Sequence, residues 1–247
     1  MPGAADEEGR ECPLSEPRGE VTLVAYQGSA WVGLDVLGRF QRSTPARERI
    51  TCERRAAGPC EVVACRNLGV DFVNGEGACG ATSAGSLLVT RGAEVLPAVS
   101  GSGRLTLTRD LMAGEAFTVR TTGGDVPAFA TTVRLPPRVT VLGPQALLDN
   151  GTVTLGANDG LAVTWAPTTG RVLVIVTGSN GGSFTAECAF DGATGAGTVP
   201  PAAMPEQSGH VGVWSEDRSD QRVGVFPVAV RARWSTGAGA TLVRGSE

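Results

Sequence analysis

Apolar and polar residues alternate along most of the chain in short runs, and each run is bounded by Gly, Pro, Ser or Asn. EVTLVAYQ, SAWVGLDVLGRF, ERITCERR, CEVVACRN, AGSLLVTR, GRLTLTR, EAFTVRTTGG and AFATTVRLP follow one another through the first half. A period of two places successive side chains on opposite faces, so each run predicts a half-buried strand, and their close spacing is the rhythm of an antiparallel sandwich or barrel. LPPR, at 135–138, interrupts the pattern, because two consecutive prolines cannot sit inside a central strand. The second half then resumes with VTVLG, GTVTLGA, GLAVTWAP, RVLVIVTG, SFTAECAF, GTVP and HVGVWS, and ends in one long strand over 222–235, RVGVFPVAVRARWS. Only PQALLDN (144–150) and PPAAMPEQ (200–207) have the character of a short helical turn. The expectation is an all-β chain with almost no helix. It consists of a flexible leader over 1–18 and two antiparallel β-sandwich domains in tandem, over 19–135 and 136–247.

The same alternation sorts the tryptophans. In LAVTW, Trp165 shares a face with Leu161 and Val163; in the last strand Trp234 shares one with Phe226, Val228 and Val230. Both are predicted to lie in the core. In GHVGVW the valines Val211 and Val213 take one face, and His210 and Trp214 take the other. Trp31 sides with Asp35 and Arg39 against Val32, Leu34 and Val36. With the valines inward, Trp31 and Trp214 point outward, where an indole can stack on a sugar or anchor a protein partner; the alternative is that a loop or the neighbouring domain covers them.

Composition narrows the chemistry. A chain of 247 residues has room for two cores, and 35 glycines with 15 prolines require many turns. All 21 basic residues are arginine. That removes Schiff-base, phosphate-loop and general-base lysines. The net charge is −4, with arginines spread from Arg10 to Arg244, so there is no basic stripe for nucleic acid. The longest strongly apolar run is VLVIV (172–176), a buried strand and not a transmembrane segment. The first twenty residues lack a positive start followed by an apolar stretch, so they do not form a secretory signal. Six cysteines nevertheless favour an oxidising compartment. The expected location is secreted, periplasmic or cell-surface, with the signal segment absent from this chain.

The lone histidine, His210, excludes more. A Ser-His-Asp set has only this imidazole to draw on, and it lies in a strand beside Gly209 and Gly212 rather than in a base-orienting loop. Zinc-protease, facial-triad iron and blue-copper sites all need at least two histidines. GEGACG (75–80) matches a dinucleotide fingerprint but contains a cysteine and leads toward a strand; ATSAG (81–85) lacks the helix of a nucleophile elbow. Asp149, Asp159, Asp191, Glu216, Asp217 and Asp220 are the loop carboxylates from which a glycosidase pair would be drawn, and no spacing singles out two of them. No catalytic residue, metal site or cofactor is predicted.

The cysteines follow the spacing Cys52-x7-Cys60-x4-Cys65-x13-Cys79, with Cys12 and Cys188 far away. Neither a zinc knuckle nor a redox pair fits, since both require CxxC, which leaves disulfides. If RITCERR and CEVVACR form a hairpin through AAGP, Arg55 faces Cys60 and Cys52 lies opposite Val63, diagonal to Cys65. A bulge then permits a Cys52–Cys65 bridge. Cys60 has the opposite parity and looks to Cys79. Cys188, beside Ala186 and Phe190, reads as a small buried thiol, the alternative being a bridge to Cys12.

GLAVTWAP resembles the second strand of fibronectin type III and bacterial immunoglobulin-like domains, in which a tryptophan on an alternating strand enters the core ahead of a proline. More broadly, CEVVAC, AGSLLV, GEAFTV, VPAFATTVRLPPRVTV and ECAFDGATGAGTVPPAAM resemble a group of two-domain envelope proteins of high-GC bacteria. The likeness extends over 50–235. It implies immunoglobulin-like or fibronectin III-like sandwiches and brings no activity with it. The function expected is a non-catalytic, secreted or envelope-associated binding or structural module that contacts a polysaccharide or an envelope protein through Trp31, His210 and Trp214. The alternative is a carboxylate-dependent glycan hydrolase.

Overall fold

A computed structural model describes residues 18–27, 32–41, 50–67, 83–96, 102–106, 110–179 and 182–245. These form seventeen strands. They are β1 (Arg18–Gln27), β2 (Val32–Gln41), β3 (Ile50–Ala57), β4 (Cys60–Asn67), β5 (Leu87–Arg91), β6 (Glu94–Val95), β7 (Ser102–Thr106), β8 (Ala116–Thr121) and β9 (Ala130–Arg134), followed by β10 (Val141–Gly143), β11 (Thr152–Leu155), β12 (Leu161–Trp165), β13 (Arg171–Ser179), β14 (Gly182–Asp191), β15 (Ala196–Val199), β16 (Ser208–Val223) and β17 (Phe226–Arg244). The helical turns expected near 144–150 and 200–207 are α1 (Gln145–Leu148) and a 3-10 turn at Pro201–Ala203; another 3-10 turn lies at Gly192–Thr194. The chain is all-β. Residues 1–17 of the predicted leader lie outside the described residues, and Arg18 already belongs to β1.

Two compact units divide the chain, and neither is a contiguous stretch. One comprises Phe72–Leu135, Asp217–Arg233 and the described part of Met1–Arg47; the other comprises Pro136–Glu216, Trp234–Glu247 and Glu48–Asp71 in their described parts. Contiguous domains over 19–135 and 136–247 are therefore not what the chain forms. The β3–β4 hairpin belongs with the second unit, while the middle of the β16–β17 hairpin belongs with the first. The break at 135/136 falls within LPPR.

In the first unit β17, β1, β2 and β7 are hydrogen-bonded neighbours in that order, part of a ten-stranded sheet, and β6-β5-β8-β9 make a four-stranded sheet. Their alternating apolar residues are the buried ones, among them Leu23, Leu34, Val89, Phe117 and Phe226. In the second unit the order is β3-β4-β14-β13-β16-β17, with β11 pairing parallel to β17, and a separate sheet has the order β10-β12-β15. One core fills the space between these two sheets: Leu161, Val163 and Trp165 from β12 meet Val174, Val213 and Phe184 from the large sheet. Each such side chain contributes roughly 1.5–3 kcal/mol on burial. Trp165 is 1% exposed and Trp234 2% exposed, both on the faces the alternation gives them.

Two turns differ from expectation for the same reason. The long last strand does not run through 222–235: β16 ends at Val223, and β17 begins at Phe226 after a two-residue turn, with Gly224 at φ +60°. The β3–β4 loop is likewise only Gly58–Pro59, with Gly58 at φ +58°, and not AAGP. In both, the glycine adopts the left-handed backbone that tight hairpins demand. The shorter loop shifts the hairpin register by two residues, so Cys52 lies opposite Cys65 and Ala57 opposite Cys60.

Candidate binding face

The strands β13, β14 and β16 form the centre of the second unit's large sheet. Val172, Val174 and Val176 of β13, Ala186 and Cys188 of β14, and Val211 and Val213 of β16 point into the core. The alternate positions make up the opposite face. Across it, Thr177 is in register with His210 and Thr185, Ile175 with Gly212 and Glu187, Leu173 with Trp214 and Ala189, and Arg171 with Glu216 and Asp191. His210 is exposed and Trp214 half-buried. Both stand on the face opposite Val211 and Val213, on strands and not on loops. Trp31 lies outside the described residues.

Gly212 determines how the indole lies. A Cβ built at Gly212 would come within 3.2 Å of Trp214 Nε1, so the ring extends back along its own strand over the glycine. Leu173, directly across from Trp214, is 2% exposed even though it is on the outward face. Ile175, half-buried beside Gly212, continues this apolar centre. The face therefore presents a compact apolar patch with hydroxyls and an imidazole along one side.

Charges bound the patch. Arg171 has an acidic residue in register on each side, and its Nη1 lies 3.3 Å from Glu216 Oε1; Glu216 has a side chain 1% exposed and Arg171 one 44% exposed. Toward the sheet edge, Glu61 is opposite Glu187, an unfavourable like-charge pairing that Arg54 offsets through a 2.8 Å bond to Glu61.

The six carboxylates from which a catalytic pair would be drawn hold local structure. Asp149 accepts from Gln145 Nε2, Asp159 from the Gly156 N–H, Asp191 from the Ala193 N–H, and Asp217 from the Arg134 N–H. Asp220 accepts from Arg218, and Glu216 pairs with Arg171. They act as turn, cap and ion-pair partners.

The cysteines are arranged differently from expectation. Cys60 is bonded to Cys188, its register partner across β4 and β14. This replaces both the bridge to Cys79 and the free buried thiol at Cys188. Parity did send Cys60 away from Cys65, but the two-residue turn and the packing of β4 beside β14 bring a cysteine 128 residues away directly opposite. Cys65 is also disulfide-bonded. The side chain of Cys52, and Cys12 and Cys79 altogether, lie outside the described residues.

The fold and this face define an all-β protein whose second unit is a two-layer sandwich with an aromatic-bearing outward sheet face. No protein family matches the chain, and no curated protein is similar to it. Among solved structures it is similar to the pilus backbone protein RrgB of Streptococcus pneumoniae at 11% identity, covering 93% of this chain and 58% of that one, with a TM-score of 0.16. The chain thus spans less than two thirds of that neighbour's length, and at that score the likeness has no bearing on function. The resemblance to fibronectin type III and high-GC envelope proteins is carried by the quoted motifs alone.

Proposed function

We propose that this protein is a non-catalytic, secreted or envelope-associated binding module that engages a polysaccharide through the outward face of β13, β14 and β16. The observation that carries the reading is the half-buried indole of Trp214 lying over Gly212, beside Ile175 and the exposed His210, on strands fixed by the core beneath. An amphipathic ring held in one orientation loses little entropy on binding, and a sugar ring offers the flat apolar face that stacks on it. Thr177, Thr185 and His210 supply hydrogen-bonding groups alongside. Two disulfide-bonded sites, at Cys60–Cys188 and at Cys65, support an oxidising compartment. No helix among the described residues is long and apolar enough to cross a membrane. The register supports Cys52 as the partner of Cys65.

The test is a glycan array probed with the wild type and with Trp214→Ala. Signal on a glycan that the variant loses supports the reading. Absence of signal on every glycan removes the polysaccharide and leaves contact with an envelope protein.

A further inference from the structure

The second unit has another feature, on the inward side of its large sheet. Alternation along β17 puts Trp234, Thr236 and Ala238 on that side, where Trp234 is buried and Ala238 packs against the core. Across from them the chain leaves LPPR: Val139 and Val141 enter the core, and Arg138 and Thr140 stay exposed. A recess of about 390 Å³ opens here, with Val139, Val141 and Leu148 on one side and Thr236, Gly237 and Ala238 on the other. That volume lies at the lower end of the range of about 300–1,000 Å³ typical of small-molecule sites. The Thr236 hydroxyl donates to the Val213 carbonyl at 2.8 Å and accepts from the Ala238 N–H at 3.1 Å, so its proton is spent. No titratable side chain lines the recess. Asp149, next to Leu148, accepts from Gln145 Nε2 at 2.9 Å.

Arg138 brings a charge to one end of it. Its Cζ lies over the Trp234 ring, 4.4 Å from the centroid. Among the described residues this exposed guanidinium has that ring as its partner and no carboxylate or other acceptor. Stacking covers one face of the guanidinium plane, and the N–H groups, which lie in the plane, remain free to donate. Trp234 and Thr236 are two residues apart on one face of β17, about 7 Å along a strand, so the cation stands beside the recess and not inside the core. A ligand suited to both parts has an anionic head and an apolar body. A carboxylate matches the guanidinium fork with two parallel hydrogen bonds, and a short hydrocarbon chain matches the walls. We propose that this recess binds an aliphatic carboxylate, its head paired with Arg138 and its chain against Val139, Val141, Leu148 and Ala238. Free fatty acids and peptides ending in an aliphatic residue both carry this group. The site is separate from the Trp214 face and does not rest on the reading given for it.

Calorimetric titration of the full chain with octanoate, N-acetylleucine, octanol and acetate tests the proposal. At least one of the first two is expected to saturate. Octanol keeps the chain without the charge and acetate the charge without the chain, and each should bind at least about tenfold more weakly. Saturation by octanoate alone identifies a fatty acid as the source, saturation by N-acetylleucine alone a peptide C-terminus, and saturation by both the shared group. Arg138→Gln removes the charge at an exposed position, and Thr140→Trp fills the recess from another while keeping Arg138; far-UV circular dichroism checks that each folds. Each should weaken the carboxylate at least about tenfold. Trp214→Ala should leave its affinity unchanged. Failure of both carboxylates to saturate, octanol or acetate binding equally well, unaltered affinity in Arg138→Gln or Thr140→Trp, or loss of affinity in Trp214→Ala would each overturn the proposal.

Discussion

Replacing Trp165 with alanine probes the second unit's core at its largest fully buried side chain. The indole is 1% exposed, its ring centroid lies 5.9 Å from that of Phe190, and its Nε1 donates to the Gly192 carbonyl at 2.9 Å. Truncating a buried Trp to Ala typically costs about 3–5 kcal/mol in transfer energy and residual cavity. The lost hydrogen bond adds little, because the Gly192 carbonyl still accepts from Thr168 N at 3.1 Å and Gly195 N at 3.4 Å and is not orphaned. Against a total stability of about 5–15 kcal/mol, such a loss brings the unit close to unfolding. With a urea m-value of about 2 kcal/mol/M, the midpoint should fall by about 1.5–2.5 M. Far-UV circular dichroism is the appropriate readout, since the other three tryptophans complicate fluorescence. Trp165→Phe, which keeps most of the apolar volume, should lose less than about 2 kcal/mol. An unchanged midpoint in Trp165→Ala would refute the two-layer packing around β12.

Non-reducing peptide mapping should recover Cys60 linked to Cys188, and Cys52 linked to Cys65; a Cys60–Cys79 peptide would contradict the strand pairing. Replacing Cys60 and Cys188 together by alanine should lower stability by about 2–5 kcal/mol, measured by thermal unfolding with and without reductant. Gly224→Ala forces a left-handed backbone at φ +60° onto a residue with a Cβ and should cost about 1–2 kcal/mol in a urea titration. Glu115→Leu leaves the Arg91 charge buried without its carboxylate and should destabilise by about 3–5 kcal/mol, seen as a lowered melting temperature.

Strands were the legible part of the sequence, because a period of two records directly which side chains meet the core; Trp165 and Trp234 lie where LAVTW and FPVAVRARW place them. Tight turns were less legible. AAGP marked the first hairpin but not the length of its turn, and Gly224 sits inside an otherwise continuous apolar pattern, so only the backbone shows the two-residue turns at Gly58 and Gly224. Unit membership was the least legible, since it depends on which distant strands pair. Nothing in CEVVAC shows that β4 lies against β14, so Cys188 was not recognisable as the partner of Cys60. Of the face around Trp214, alternation gave its side of the sheet, but the clearance over Gly212 and the cover over Leu173 follow from register.

The bond between Cys60 and Cys188 also dictates an order of events during synthesis. Cys52, Cys60, Cys65 and Cys79 all leave the ribosome before Cys188, which trails Cys60 by 128 residues. At about 5–20 residues per second this is roughly 6–25 s in which Cys60 has no native partner while other thiols are at hand. Any bridge Cys60 makes in that interval must later be exchanged by thiolate attack when Cys188 arrives.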